Sequence, residues 1–481
     1  MKQTRKTGTL IIGGGPGGRT AYAALHRSGK KDSLLIMNVE PVAVCSLPYG
    51  VGKRLIPTGP EDTIVDIANS PRLPADIVQN TIVGDVVDID PSAKMATVKA
   101  AESKEIIEVT YENAIFATGA APWIPPIEGV LKSSEMPEEI TGEVVCVGKQ
   151  FVPKSLLADG IYVMRTVNDG KRLDKFAEEA KSAVVIGSGA VGLEVAEALS
   201  DRGLKVTIVE ALPHITSALD EDMAKILETR LKENGIDVFV NKQAVSYDNG
   251  TLTLNDGTKL KASGVVFATG VRADIRLATK AGLKIEKGIV VDKNMRTNVP
   301  NIYAIGDAVQ IEDTVSGKGI LPLIGTLAMR QGLIVALNIA GKPTEHPPAT
   351  SWGVSALFGL HWGSVGLTEE LAKSLGMKAE SIVLAVRTRE PVMPDSKQGH
   401  WKVIFSTESN DSVKKGQILG FQIVLDGDSP LSITERFIDI ITRHETVPEL
   451  INHFYIHSPS HNPPDDPYMG IMFRYGINNF N

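Results

Sequence analysis

The sequence predicts an α/β protein in which one unit is used twice and a smaller α+β unit follows. Three observations carry that reading. Two apolar runs each feed a glycine-rich turn and then an alanine-rich stretch: Thr9-Leu10-Ile11-Ile12 into Gly13-Gly14-Gly15-Pro16-Gly17-Gly18, and Ala183-Val184-Val185-Ile186 into Gly187-Ser188-Gly189-Ala190-Val191-Gly192. Each copy closes on a strand-like run ending in Ala-Thr-Gly, at residues 113–119 and 264–270. Beyond Ser351 there is no further glycine fingerprint, and strand-like runs alternate with amphipathic stretches.

Bulk properties set the frame. At ~150 residues per domain, 481 residues imply about three domains. Fifty basic and 57 acidic residues give a net charge of -7, a balance that does not point to a nucleic-acid surface. No apolar run reaches the ~18–20 residues of a membrane helix. Lys2, Arg5 and Lys6 ahead of Leu10 mimic a signal peptide, but the apolar run stops at Gly13, short of an h-region of ~7–15 residues. A buried first strand and a cytoplasmic protein are expected. Two cysteines, Cys45 and Cys146, allow neither a disulfide framework nor an all-cysteine metal site, and no metal is expected.

Within each copy a second apolar run follows, at 34–37 and 206–209. Residues 251–254, a turn at Asn255-Asp256-Gly257 and residues 258–261 read as a hairpin. Met223, Ile226, Leu227 and Leu231 recur at helical spacing. The first copy is longer than the second, and some of the extra residues are expected after its second strand, in the stretch containing Cys45. In the third unit, 382–386 and 401–405 read as strands and 369–375 as an amphipathic helix. Gly341-Lys342-Pro343 and Pro347-Pro348 mark its start. The last ~20 residues, rich in Pro, Asn and Asp, predict an extended tail.

A strand entering a helix through G-x-G-x-x-G is a Rossmann-like dinucleotide site. Gly13 and Gly187 permit the tight turn. Gly15 and Gly189 let backbone approach a pyrophosphate, and Gly18 and Gly192 let helix and strand pack closely. The unpaired N–H groups of the helix start then face the phosphates. About 20 residues beyond the second fingerprint stands Glu210, suited to ribose hydroxyls and hostile to a 2′-phosphate. With no Arg or Lys in 211–219, NADH is favoured over NADPH. In the first copy either Asn38 or Glu40 meets the ribose, and Glu40 is preferred for its charge.

These residues resemble the FAD- and NAD(P)H-dependent pyridine nucleotide-disulfide oxidoreductases, over nearly the whole chain. A third motif, Thr297-Asn298-Val299-Pro300-Asn301-Ile302-Tyr303-Ala304-Ile305-Gly306-Asp307-Ala308, belongs to the same resemblance. The resemblance implies FAD on Gly13, Gly15, Pro16, Gly18, Glu40, Val86, Thr118, Gly119, Asp307 (at the ribityl chain) and Ala328. It implies NADH on Gly187, Gly189, Val191, Gly192, Glu194 (near the nicotinamide), Glu210 and Gly270. It further implies an FAD domain split into 1–122 and 288–345, an NAD domain over 123–287, a dimerisation domain over 346–481 and a homodimer.

Cys45-Ser46-Leu47-Pro48-Tyr49 narrows the resemblance. Two-cysteine relatives have Cys-x-x-x-x-Cys here, but residue 50 is Gly. The match is to the single-cysteine branch of coenzyme A disulfide reductase and its NADH oxidase, peroxidase and polysulfide-reductase relatives. Cys45 would be the redox thiol, with its pKa lowered by the helix that follows, although Pro48, Gly50 and Gly52 make that helix weak. Cys146 reads as a plain buried cysteine. Tyr455 matches a tyrosine that reaches the partner's cysteine, and His457 lies one residue out of register with an acid/base histidine. Either would protonate a leaving thiolate. Arg27 matches an arginine near coenzyme A phosphates. Two departures stand out: Val44 replaces an asparagine of the coenzyme A branch, and Pro16-Gly17 stand where the oxidase branch has a histidine. The segment 131–157 is longer than in the family and has no assigned role.

The expected function is hydride transfer from NADH through FAD to Cys45, which reduces a disulfide, persulfide or polysulfide such as coenzyme A disulfide. The alternatives are an NADH oxidase or peroxidase using a Cys45 sulfenic acid, or a ferredoxin- or rubredoxin-type reductase in which Cys45 is incidental. A small-molecule thiol or sulfur acceptor is expected, with no nucleic acid and no membrane.

Overall fold

The computed structural model describes residues 3–38, 44–410, 413–459 and 461–476. β1 (Gln3–Ile12) leads through the first glycine turn into α1 (Pro16–Arg27), and β2 (Ser33–Met37) returns parallel beside β1. α2 (Leu47–Gly52) follows. β3 (Thr81–Asp90), β4 (Met95–Ala100) and β5 (Ile106–Phe116) form an antiparallel meander. β5 also lies parallel to β1, so β1 is central and its Leu10 and Ile11 are fully buried. The sheet is completed by a strand from far along the chain, Ile302–Ala304, parallel to β5.

Next come β6 (Ala120–Ile124), β7 (Val144–Val147) and β8 (Gln150–Pro153). The long segment after β6 is thus a β7–β8 hairpin preceded by irregular chain, and Cys146 is buried in β7 as expected. The second copy holds β9 (Ile161–Val163), α3 (Val167–Glu179), β10 (Ser182–Ile186), α4 (Ala190–Asp201), β11 (Lys205–Val209), α5 (Glu221–Glu233) and β12 (Asp237–Phe239). α5 buries Met223, Leu227 and Leu231, the spacing read from the sequence. A meander of β13 (Ala244–Asp248), β14 (Thr251–Leu254) and β15 (Lys259–Lys261) precedes β16 (Gly264–Phe267). The parallel sheet has the order β12-β11-β10-β16-β9. β17 (Val271–Ala273) pairs with β6, and α6 (Arg276–Lys280) follows.

The chain then adds β18 (Ile289–Val290), β19 (Ile302–Ala304), β20 (Val309–Glu312) and β21 (Gly319–Ile320). α7 (Gly325–Ile339) packs against α1 so closely that a Cβ on Gly332 would lie 2.4 Å from the Gly17 carbonyl oxygen. β22 (Trp352–Leu357), β23 (Leu360–Gly366), α8 (Glu369–Ser374), β24 (Ala379–Arg387), β25 (Gln398–Ser406) and β26 (Ile418–Asp426) build an antiparallel sheet of order β22-β23-β26-β25-β24. α9 (Leu431–Thr442) covers it.

The end of the chain corrects the sequence expectation. Residues read as an extended tail form α10 (Pro467–Tyr475). Asp466 accepts from the backbone N–H groups of Tyr468 and Met469, and Pro467 occupies the first turn, where its missing N–H costs nothing. Tyr468, Ile471, Met472 and Tyr475 then bury one face. Composition pointed away from a helix, but capping and one apolar face produced it.

Candidate active site

The two glycine turns are built alike. Gly13 has φ +122°, and a Cβ there would lie 2.0 Å from the Ala117 carbonyl oxygen. One on Gly18 would lie 1.9 Å from the Gly13 oxygen. In the second copy, Gly187 (φ +94°) would meet the Ala268 oxygen at 2.5 Å and Gly192 the Gly187 oxygen at 2.1 Å. The middle glycines differ: nothing lies within 4 Å of a Cβ on Gly15 or Gly189. Packing therefore compels the outer glycines. The middle ones border open space at helix starts that no side chain caps, as a pyrophosphate requires. The residues fit two dinucleotides. Pro16 opens α1, and Val191 is 40% exposed in the first turn of α4.

Beside the first turn lies a cavity of about 420 Å³, within the usual ~300–1,000 Å³ range of small-molecule sites. It brings together Gly13, Val86 and Thr118, with Asn38 at the end of β2. Glu40, the preferred ribose partner, lies outside the described residues, while the alternative Asn38 lines the cavity. Thr118 Oγ1 donates to the Asp274 carbonyl at 2.8 Å, and Gly119 takes φ +70°.

Asp307 stands on the 3-10 turn Gly306–Ala308, held by Gly306 N donating to Gln331 Oε1 at 2.7 Å. Gln331 is buried in α7, one turn from Ala328, whose methyl would lie 3.5 Å from a Cβ on Gly306. Arg165 Nη2 donates to Asp307 Oδ2 at 2.7 Å. Sequence reasoning missed Arg165. Its only local trace is the capping box that follows, in which Thr166 and Asp169 start α3. Asp169 Oδ2 also accepts from Arg165 N at 3.0 Å and from the buried Lys154 Nζ at 2.5 Å.

Cys45 is exposed, on a 3-10 turn (Val44–Ser46) that runs into α2. α2 forms despite poor propensity because its glycines permit close packing. A Cβ on Gly50 would lie 2.6 Å from Pro60 Cα, and one on Gly52 3.1 Å from Ala198 Cα. The thiol does not have the lowered pKa expected of it. Partial burial pushes it up, the Glu194 and Asp307 carboxylates push it further, and Arg165 and a backbone hydrogen bond oppose them.

Glu194 on α4 accepts from Ser355 Oγ at 2.7 Å and from Tyr49 Oη at 3.3 Å. Burial raises its carboxyl, and those two bonds hold it back. Burial and Glu194 push the Tyr49 hydroxyl well up. Ser355 comes from β22 in the third unit, so no local sequence signal could have found it.

Glu210 is only 9% exposed. Its Oε2 accepts from Ser188 N (2.9 Å) and Ser188 Oγ (2.6 Å), and its Oε1 from Leu212 N (2.9 Å). The carboxylate thus organises the turn beside it. Gly270 takes φ +91° at the end of the closing strand.

Three predicted residues are not joined to Cys45 by any described hydrogen bond or ion pair. Arg27 is exposed at the far end of α1, with Nη2 on the Arg72 carbonyl at 2.9 Å. Tyr455 packs against the core of the third unit, where burial raises its hydroxyl. His457 is exposed and faces Glu390 at 3.4 Å. Among the described residues no helix is long and apolar enough to cross a membrane.

Comparison with known proteins agrees with this geometry. The model of the pyridine nucleotide-disulphide oxidoreductase family matches residues 7–331. An NADH oxidase of Methanocaldococcus jannaschii is 31% identical over 464 residues, 94% of either chain. A Pyrococcus horikoshii NAD(P)H coenzyme A polysulfide/persulfide reductase is 25% identical over 438 residues, 88% of either chain. The solved structure of an NAD-dependent persulfide reductase from A. fulgidus superposes with TM-score 0.84 at 27% identity, covering 97% of this chain and 83% of that one. Twin pyrophosphate turns, the Asp307 turn and a full-length match together mean that the chain belongs to the pyridine nucleotide-disulphide oxidoreductases, as an enzyme working with FAD and NADH.

Proposed function

We propose that the protein passes electrons from NADH through FAD to Cys45, which reduces a disulfide, persulfide or polysulfide acceptor such as coenzyme A disulfide. One observation carries this reading. Charged groups from three separate parts of the chain act on the Cys45 thiol: Asp307 after β19, Arg165 before α3 and Glu194 on α4. The relatives named as persulfide reductases favour the same acceptor class.

When bound, FAD would take a hydride from NADH and return two electrons to sulfur. Cys45 supplies the sulfur. Its thiolate attacks the acceptor S–S bond, forms a mixed disulfide and releases one thiolate, which takes up a proton. The two electrons and one proton of that hydride would then cleave the mixed disulfide, giving the second thiol and regenerating the Cys45 thiolate. Arg165 favours the thiolate, while Glu194 and Asp307 disfavour it. Glu194, steadied by Ser355 and Tyr49, borders the nicotinamide side. Preference for NADH rests on Glu210, and Lys242 nearby is already paired with Asp256 at 2.5 Å.

The FAD domain is taken as 1–122 with 288–345, the NAD domain as 123–287 and the dimerisation domain as 346–481. The strand order supports the split, since β19 completes the first sheet. Tyr455 or His457 would reach the partner's Cys45 in a homodimer, and Arg27 would meet coenzyme A phosphates. Phe454 and Ile456, 84% and 82% exposed, flank Tyr455 as a covered interface requires.

The second reading is an NADH oxidase cycling Cys45 through sulfenic acid, favoured by the 31% relative of that name. Intact mass of the purified protein before and after reductant separates the two: coenzyme A or extra sulfur on Cys45 supports the first, one oxygen the second. Replacing Cys45 with Ser abolishes acceptor turnover in both. Unchanged turnover would instead favour electron transfer to a ferredoxin or rubredoxin partner.

A further inference from the structure

We infer that residues 133–143 belong to the cofactor site, as a strap over the adenosine end of the first dinucleotide pocket that slows release of FAD. This rests on the reading that the pocket beside Gly15 holds FAD.

The strap has a stapled base. Lys132 N donates to the Leu156 carbonyl at 2.9 Å, and Lys154 N to the Glu143 carbonyl at 3.0 Å. Between these bonds the chain leaves the hairpin and has no regular structure. Met136 anchors the near side in the hydrophobic cluster of Val145, Val152 and Leu157. Glu138, Glu139 and Ile140 then line the same cavity as Gly13 and Val86.

The tip is clasped to both sides of the pocket. Gly142 N donates to Asp85 Oδ2 at 2.9 Å. Asn38 Nδ2 donates to Asp85 Oδ1 at 3.0 Å and to the Gly142 carbonyl at 3.2 Å. Arg276 Nη1 donates to the Ile140 carbonyl at 2.9 Å, while its other nitrogens are held by Asp274. Lys99 pairs with Glu139. Asp85, Asn38 and Lys99 come from the first sheet and Arg276 from α6, so the strap spans the mouth. A chain closed at its base and bonded at its tip adds a wall that a bound adenosine must displace to leave.

Two variants test this. Gly142→Pro removes the N–H given to Asp85 and cannot keep φ +73°. Replacing residues 137–141 with Gly-Gly removes the wall but keeps Met136 and the stapled base. FAD release from each holoprotein is followed by the rise in flavin fluorescence after dilution. Both variants should release FAD about ten-fold faster than the parent, the effect of losing one or two such bonds. Gly15→Val is the control for the pocket. If it retains FAD, the pocket reading falls and the strap with it. If it loses FAD while both strap variants release FAD at the parent rate, only the strap is overturned.

Discussion

Arg165 on the loop before α3 and Asp307 on the 3-10 turn after β19 meet at 2.7 Å, although 142 residues separate them in sequence. Arg165 also opposes the carboxylates that push the Cys45 thiol up. Arg165→Met should therefore raise the pH at which Cys45 is alkylated by iodoacetamide, and Glu194→Gln should lower it. Cys146 is buried and does not confuse the readout. Matching profiles in parent and variants would rule out this electrostatic control.

Gly15 and Gly18 should fail in different ways. A methyl on Gly18 would collide with the Gly13 carbonyl, so Gly18→Ala should cost about 3 kcal/mol in urea denaturation of the apoprotein. Gly15→Ala meets open space at φ -68° and should stay within about 1 kcal/mol of the parent, yet bind FAD more weakly. Equal losses of fold stability would contradict the division between packing and ligand glycines.

Lys154 is 5% exposed and bonded to Asp169, Thr166 and Glu143. Lys154→Met leaves Asp169 buried without its cation and should destabilise the fold by about 3–5 kcal/mol. The double change Lys154→Met with Asp169→Leu should recover part of that loss. Chemical denaturation of both variants measures it.

His214 joins the second unit to the third through Glu370 at 3.2 Å. Burial alone would lower its pKa, but the Ile215 carbonyl and Glu370 outweigh that and raise it. Its stabilising contribution is therefore full below the unfolded-state pKa of about 6.5 and is lost as pH rises through the higher folded value. Parent stability should fall across that window, and His214→Gln should remove this part of the slope in a series of denaturation curves.

The sequence carried what local geometry demands. Both glycine turns, the closing strands, α5 and two strands of the third unit were legible, because close approach and periodicity are written in neighbouring residues. Arg165, Ser355 and the strap were not. Each acts through a partner more than 50 positions away, and a lone Arg or Ser in a strand or loop has no distinguishing pattern. α10 was obscured for a different reason: proline and aspartate, read as loop formers, stand at its cap, where they start a helix.

The bond from Ser355 to Glu194 gives the third unit a second duty. A residue beside the expected nicotinamide site takes its orientation from the sheet that would also carry subunit contacts. A change in packing beneath β22 would thus be felt as a change in the orientation of Glu194. Evolution could tune turnover there without altering a single cofactor-contacting side chain, and a chain shortened before β22 would keep both nucleotide turns yet lose the alignment between them.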